Sequence, residues 1–128
     1  MVHAKLADAP YRVDIEASHH ALISDESTEH GGGGAGPSPF DLVLAGLASC
    51  TLITFRMYAE RKSWTGFGAT IQLRHRQEAA DHFIDRHVQV SGVPDAAGLE
   101  RLRDIVEKTP VTLALKAGFA IATTVDGV

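Results

Sequence analysis

The residue best suited to chemistry in this sequence is its single cysteine, Cys50. One cysteine cannot form a disulfide within the chain, and a multi-thiolate zinc site needs at least two cysteines at short spacing. Cys50 is therefore either an inert core residue or a reactive thiol. If it is reactive, the nucleophile is its thiolate, and a neighbouring cation would favour that form.

The seven histidines are a second source of chemistry, but their spacing does not predict a metal site. His19 and His20 are adjacent, so on a strand they point to opposite faces. His82 and His87 lack the i, i+2 spacing that places two ligands on one face. The remaining histidines are scattered, at His3, His30 and His75. We therefore expect no metal and no cofactor.

The glycine- and proline-rich segment 31–39 has the composition of a phosphate-binding loop without its motif. A Walker-type loop ends in Gly-Lys-Ser/Thr, and a dinucleotide loop follows a strand with spaced glycines. Neither feature is present. We interpret the segment as a flexible connector to the helix that follows.

Composition and charge limit the classes of protein that need to be considered. The chain has 128 residues, of which 45% are hydrophobic, so we expect one domain over residues 1–128. A net charge of −4 gives no reason to expect binding to nucleic acid or to a membrane. Residues 1–10 do not resemble a secretory signal, which predicts a cytoplasmic protein.

A long helix carries Cys50. Ser38 is a suitable N-cap, Pro39 suits the first helical position, and Asp41 places a negative charge in the first turn. The pattern then continues to about Lys62, and most of the helix is apolar or small on nearly every side, so it must be enclosed. Its most apolar stretch, residues 42–57, reads as too short and too polar to cross a bilayer.

Shorter elements flank this helix, and their order predicts an α+β domain. A chain of this size has one sheet with which to cover the helix, so we expect a second subunit to supply the rest. The predicted elements are two short strands within residues 10–25 with a turn at 17–19, a hairpin over 66–92 with its turn at 77–81, a helix over 95–108, one further helical turn at 111–115 and a final strand at 119–125.

Three stretches around Cys50 closely resemble the OsmC/Ohr family: residues 36–42, 48–51 and 56–62. Residues 25–26 and 107–111 fit the same pattern. The resemblance implies the OsmC/Ohr-like fold, in which antiparallel sheets pack around a long central buried helix in an intertwined homodimer.

The resemblance also implies a chemistry. Characterised members reduce organic hydroperoxides: a peroxidatic cysteine on the long helix attacks the peroxide, and a second cysteine, before a Pro-Val pair, closes a disulfide. An arginine and a glutamate hold the thiolate and the peroxide, and an external dithiol or lipoyl group reduces the enzyme again. Cys50 matches the peroxidatic position, but Thr109 stands where the resolving cysteine is expected, and a hydroxyl cannot form a disulfide.

The charged positions of the family are only partly kept. Phe40 stands at the position of the glutamate, and Asp41 follows one place later. His30 aligns with the arginine of one branch and is a possible partner of the thiolate or the peroxide. Arg12, in the early strand, is a looser candidate for the arginine of the other branch.

Two functions follow from these residues. The first is a one-cysteine peroxidase with weak activity, in which Cys50 becomes a sulfenic acid and an external thiol reduces it. The second is a non-catalytic dimer that binds a small hydrophobic ligand beside an unreacted Cys50, because Phe40 makes that region apolar.

Overall fold

A computed structural model describes all 128 residues, Met1–Val128, and divides the chain into two compact parts, residues 1–45 and 46–128. The expectation that residues 1–128 form one domain therefore stays a prediction.

The first part contains a three-stranded antiparallel sheet in the order β1-β2-β3. The strands are β1 (Val2–Leu6), β2 (Val13–Ala17) and β3 (His20–Ser24). Ser18 and His19 form the predicted turn between β2 and β3, and both have positive φ, 47° and 69°. The mirror-image turns of two-residue hairpins require this conformation. Strand β1 was not predicted, because all five of its residues are exposed and give no alternating pattern.

A 3₁₀ turn (Thr28–His30) and the glycine-rich segment connect β3 to the long helix α1 (Pro39–Arg61). The predicted start of α1 is confirmed by a reciprocal pair of hydrogen bonds. The N–H of Asp41 donates to Oγ of Ser38 over 3.2 Å, and the N–H of Ser38 donates to the Asp41 carboxylate over 3.1 Å. Two of the donors at the helix start are therefore satisfied by side chains.

The second part contains the rest of α1, the hairpin of β4 (Gly68–Glu78) and β5 (Asp81–Ser91), and the helices α2 (Ala96–Val106) and α3 (Pro110–Ala117). The hairpin is confirmed, with a turn of two residues, 79–80, that is tighter than predicted. Asp95 caps α2 by accepting a hydrogen bond from the N–H of Gly98 over 2.7 Å. The single turn expected near residue 111 is a helix of eight residues.

The hydrophobic core of this part joins α1 and α2. Its buried members are Phe55, Ala59, Phe67 and Leu102, and half-buried aromatic and aliphatic side chains surround them. One of these is Trp64, which packs edge-on against Tyr58 at the end of α1, with ring centroids 5.4 Å apart. Each large core side chain contributes about 1.5–3 kcal/mol through burial, so this cluster fixes α1 against α2.

Residues 118–128 form no helix or strand, so the predicted final strand at 119–125 is wrong. Phe119 is 68% exposed and Ile121 is 84% exposed. The alternating apolar pattern is there, but a strand exists only where a neighbouring strand accepts its hydrogen bonds. No neighbouring strand pairs with this segment.

Helix α1 is less enclosed than expected. Its buried residues form one stripe, Leu47, Thr51, Phe55 and Ala59, with a spacing of four residues. By length and composition α1 could also cross a membrane, since its best window has a mean hydropathy of 1.6 and only 22% of that window is buried. The sequence argument that this stretch is too short and too polar is therefore wrong. Core helices of soluble proteins meet the same two criteria.

Asp25 holds the segment before α1 in place. Its carboxylate is buried and accepts hydrogen bonds from the N–H groups of Ala35, over 3.1 Å, and Glu26, over 2.7 Å. The bond from Ala35 is the main cause that lowers the pKa of Asp25, and the N–H groups of Glu26 and Gly33 and the charge of Arg12 act in the same direction against the effect of burial.

We predict that Asp25 makes stability dependent on acid. Because its folded pKa lies below the unfolded value of about 3.9, its contribution is fully present above that value and is lost as the pH falls through the folded pKa. Urea unfolding should show Asp25→Asn less stable than the wild type at pH 7, with the two converging as the pH falls through the folded pKa of Asp25. Asp8→Asn, which changes an exposed carboxylate, is the control; a wild-type pH profile in Asp25→Asn would contradict the prediction.

Candidate functional site

Cys50 is a free thiol on α1 and is partly exposed in the chain. At 100° per residue, its side chain lies on the same helix face as Gly46, Ile53 and Met57. Ile53 is 54% exposed and Met57 58% exposed, and a methyl group added at Gly46 would meet nothing within 4 Å. The thiol therefore belongs to an apolar face that residues 46–128 leave uncovered.

Thr51 follows Cys50 in sequence but lies on the buried stripe of α1. Its hydroxyl is fully buried, donates to the carbonyl of Leu47 over 2.8 Å and accepts from Arg86 over 3.0 Å. A cation, Arg86, is therefore hydrogen-bonded to the helix turn that carries Cys50. It contacts Thr51, the next residue, and not the thiol itself.

Arg86, on β5, is the functional candidate that the sequence did not reveal. Its guanidinium donates to the hydroxyls of Thr51 and Thr112 and to the carbonyl of Val106, over 3.0, 2.9 and 2.9 Å. No carboxylate forms an ion pair with it. It also lines an open cleft of about 680 Å³ between β5 and α3. The only sequence signal that could have identified Arg86 is weak. It is a single arginine within the alternating pattern of a strand.

Thr109, at the position where the family resemblance leads us to expect a resolving cysteine, has a structural role. It is completely buried and caps α3, accepting from the N–H of Thr112 over 3.3 Å. The two hydroxyls lie 2.6 Å apart, so Thr109 joins the hydrogen-bond network of Arg86 through Thr112. The expectation that Thr109 does not act as a thiol stays a prediction, and the cap that it forms was not predicted.

Charge in the same cleft comes from Glu107 and Lys116, which form an ion pair. The hydrogen bond from Lys116 is the main cause that lowers the pKa of Glu107, and the charges of Lys116 and Arg86 add to it. Glu107 is therefore ionised at neutral pH, and the cleft is lined by two cations, Arg86 and Lys116, and two carboxylates, Glu107 and Asp85.

The other predicted site residues lie in the first part of the chain and have local partners. His30 is exposed at the end of the 3₁₀ turn, and its Nδ1 lies 2.7 Å from the hydroxyl of Ser27. Asp41 belongs to the cap of α1. Arg12 pairs with Asp14 in β2 at 3.0 Å. Phe40, at the position of the expected glutamate, is 50% exposed.

Comparison with known proteins gives a consistent result. A family model described as OsmC-like protein matches residues 31–124. Among solved structures, the chain is similar to an OsmC-like protein from Mycoplasma pneumoniae, with 18% identity, 91% of this chain and 86% of that chain covered, and a TM-score of 0.70. None of the curated proteins matches the sequence significantly.

Two further structures have the same fold. One is an organic hydroperoxide resistance protein from Legionella pneumophila, with 19% identity, 91% of this chain and 88% of that chain covered, and a TM-score of 0.66. The other is an osmotic stress induced and detoxification response protein from Psychrobacter arcticus, with 19% identity, coverages of 88% and 85%, and a TM-score of 0.69. These similarities confirm the predicted α+β fold.

We predict that Arg86 is essential to the stability of this part of the chain. Arg86→Met keeps most of the aliphatic stem and removes three hydrogen bonds from a cation, which should lower the free energy of unfolding by about 2–3 kcal/mol. Arg101→Met on the exposed face of α2 is the matched control and should change it by less than about 0.5 kcal/mol. Equal effects of the two substitutions in urea unfolding would show that the network contributes nothing.

Proposed function

Because this chain belongs to the OsmC-like protein family, we propose that it is a stress-response thiol protein in which Cys50 slowly reduces organic hydroperoxides. The observation that carries the proposal is the position of Cys50, partly exposed on a face of α1 that its own chain leaves open. A thiol enclosed by the core could not meet a peroxide. The proposal includes a cytoplasmic location, where thiols are kept reduced.

The proposed reaction has two steps. The Cys50 thiolate attacks one oxygen of the hydroperoxide, the O–O bond breaks, and the leaving alkoxide takes a proton and departs as an alcohol. The sulfur is oxidised to a sulfenic acid. An external thiol then attacks this sulfur, releasing water and forming a mixed disulfide, and a second external thiol releases Cys50 as a thiolate and carries the disulfide away.

Slow turnover follows from the missing second thiol. The chain has one cysteine, and Thr109 caps α3 with its hydroxyl. Nothing within the chain can trap the sulfenic acid as a disulfide. A sulfenic acid that waits for an external thiol is open to further, irreversible oxidation by peroxide. We therefore expect excess hydroperoxide to inactivate the protein.

Intact-mass spectrometry with an organic hydroperoxide tests this function. Wild-type protein should gain about 16 Da per chain at equimolar peroxide and about 32–48 Da in excess, while releasing the matching alcohol. Cys50→Ser should show neither the mass gain nor the alcohol. An unmodified wild-type chain would contradict the proposal.

The same experiment separates the second candidate function, a non-catalytic dimer that binds a small hydrophobic ligand. The exposed apolar side chains beside Cys50, Ile53 and Met57, favour it. In that case native mass spectrometry should show a bound apolar molecule, and the thiol should stay unoxidised by peroxide.

We also propose that a second copy of the chain packs on Gly46, Ile53 and Met57 and leaves Cys50 reachable from a cleft between the two chains. Gly46 has open space where a side chain would stand, and small residues let two helix backbones approach closely. Ile53 and Met57 would be buried by such contact. A membrane is the other environment that suits an apolar helix face, so the test must distinguish the two.

Substitution of Gly46 tests the dimer. In sedimentation equilibrium without detergent, the wild type should be a dimer at micromolar concentration. Gly46→Leu should raise the dimer dissociation constant by about tenfold or more, because the added side chain separates the helices. Ala97→Leu adds similar bulk to an exposed site on α2 and should leave it unchanged. A monomeric wild type, or a wild type that sediments with lipid vesicles, would contradict the proposed dimer.

A further inference from the structure

The β4–β5 hairpin brings two histidines together that the sequence had suggested were unrelated. His75 is paired in register with Ile84, and His82 with Gln77, so the two histidines are diagonal neighbours on one face of the hairpin. Nε2 of His75 lies 2.8 Å from Nδ1 of His82. Their rings are nearly parallel, at 11°, with centroids 5.1 Å apart.

We propose that His75 and His82 bind a divalent transition-metal ion, for which Cu²⁺ is the best match. Imidazole nitrogens suit copper, nickel and zinc, and Cu²⁺ binds most tightly to a given set of nitrogen ligands. Metal–nitrogen bonds of about 2.0–2.1 Å at right angles, the arrangement that Cu²⁺ prefers, place the two nitrogens about 2.9 Å apart. The observed separation of 2.8 Å is close to this value. A metal ion would replace the proton between the two rings, and each ring would have to turn so that the lone pair of its nitrogen points at the ion.

The hairpin gives this pair a rigid base. Eleven residues of each strand are paired, so the two backbones hold the imidazoles in register without help from a loop. The structure contains no group of three or more histidine, cysteine and carboxylate side chains that could hold a metal ion, so in this proposal water completes the coordination. His82 also lines the open cleft, which gives an ion a path from solvent.

Charges of both signs surround the pair. Arg76 lies on the opposite face of the hairpin, where Asp85 and Glu78 accept its hydrogen bonds. The cleft that His82 lines also carries the cations Arg86 and Lys116 and the carboxylates Glu107 and Asp85. The local field therefore does not exclude a divalent cation. This site is independent of the proposed thiol reaction, and its test uses no measurement of activity.

Copper titration with electron paramagnetic resonance tests the site. All proteins should carry Cys50→Ser and His3→Gln, so that neither the thiol nor the imidazole near the N-terminus competes for the ion. With Cu²⁺ alone, this parent should bind one ion per chain, with hyperfine structure from two imidazole nitrogens. His75→Gln and His82→Gln should each weaken binding by about tenfold or more.

The control is His87→Gln, which changes a histidine on the same strand but on the opposite face of the hairpin. It should bind Cu²⁺ as the parent does. Thermal unfolding gives a second readout, because Cu²⁺ should raise the Tm of the parent and of His87→Gln but not of His75→Gln. The site is disproved if the parent binds no ion, or if His75→Gln and His82→Gln bind it as tightly as His87→Gln.

Discussion

The guanidinium of Arg86 is the interaction on which residues 46–128 depend most. It joins four elements, because it is carried by β5 and donates to Thr51 on α1, to Thr112 on α3 and to the carbonyl that ends α2 at Val106. A half-buried cation is costly unless hydrogen bonds replace its water, and each of these acceptors is an oxygen that would otherwise need a partner. The helices and the hairpin are thus fixed to one another through a polar centre beside the hydrophobic core.

This centre also determines how the thiol is presented. Thr51 is held on the inner side of α1, so Cys50, one residue earlier and 100° away, is held on the side with Gly46 and Met57. Rotation of α1 that buried the thiol would break the bond between Thr51 and Arg86. Exposed apolar side chains around a partly exposed thiol are unfavourable in water, at about 25 cal/mol per Å² of apolar surface. The same constraint that presents Cys50 therefore creates the need for a covering partner.

Sequence reasoning succeeded where the signal is local. The cap formed by Ser38 and Asp41, the turn of the hairpin and the helix α2 are all encoded by residues a few positions apart. Contacts between distant residues were missed. Arg86 and Thr51 are 35 positions apart, and the residues next to each of them in sequence form no motif that would predict the contact. His75 was treated as scattered and His82 was weighed only with His87, because only the register of the two strands brings His75 and His82 onto one face. The prediction of a strand at 119–125 is wrong for a related reason. The alternating pattern is typical of a strand, but it does not show whether a second strand is there to pair with it.

Thr109 shows that the fold does not need a second thiol at this position. A threonine hydroxyl is both a donor and an acceptor, whereas a thiol is weak in both roles, so Thr109 caps α3 and completes the network around Thr112 better than cysteine could. The position cannot serve fully both as a buried cap and as a mobile resolving thiol. With the cap in place, reduction of an oxidised Cys50 must come from outside the chain. Peroxide and reductant would then approach the same sulfur over the same face of α1, and the alcohol must leave before the external thiol can enter. The proposed reaction is therefore a ping-pong sequence. The hydroperoxide reacts with the reduced form of Cys50, and the external thiol enters the same site only after the alcohol has left.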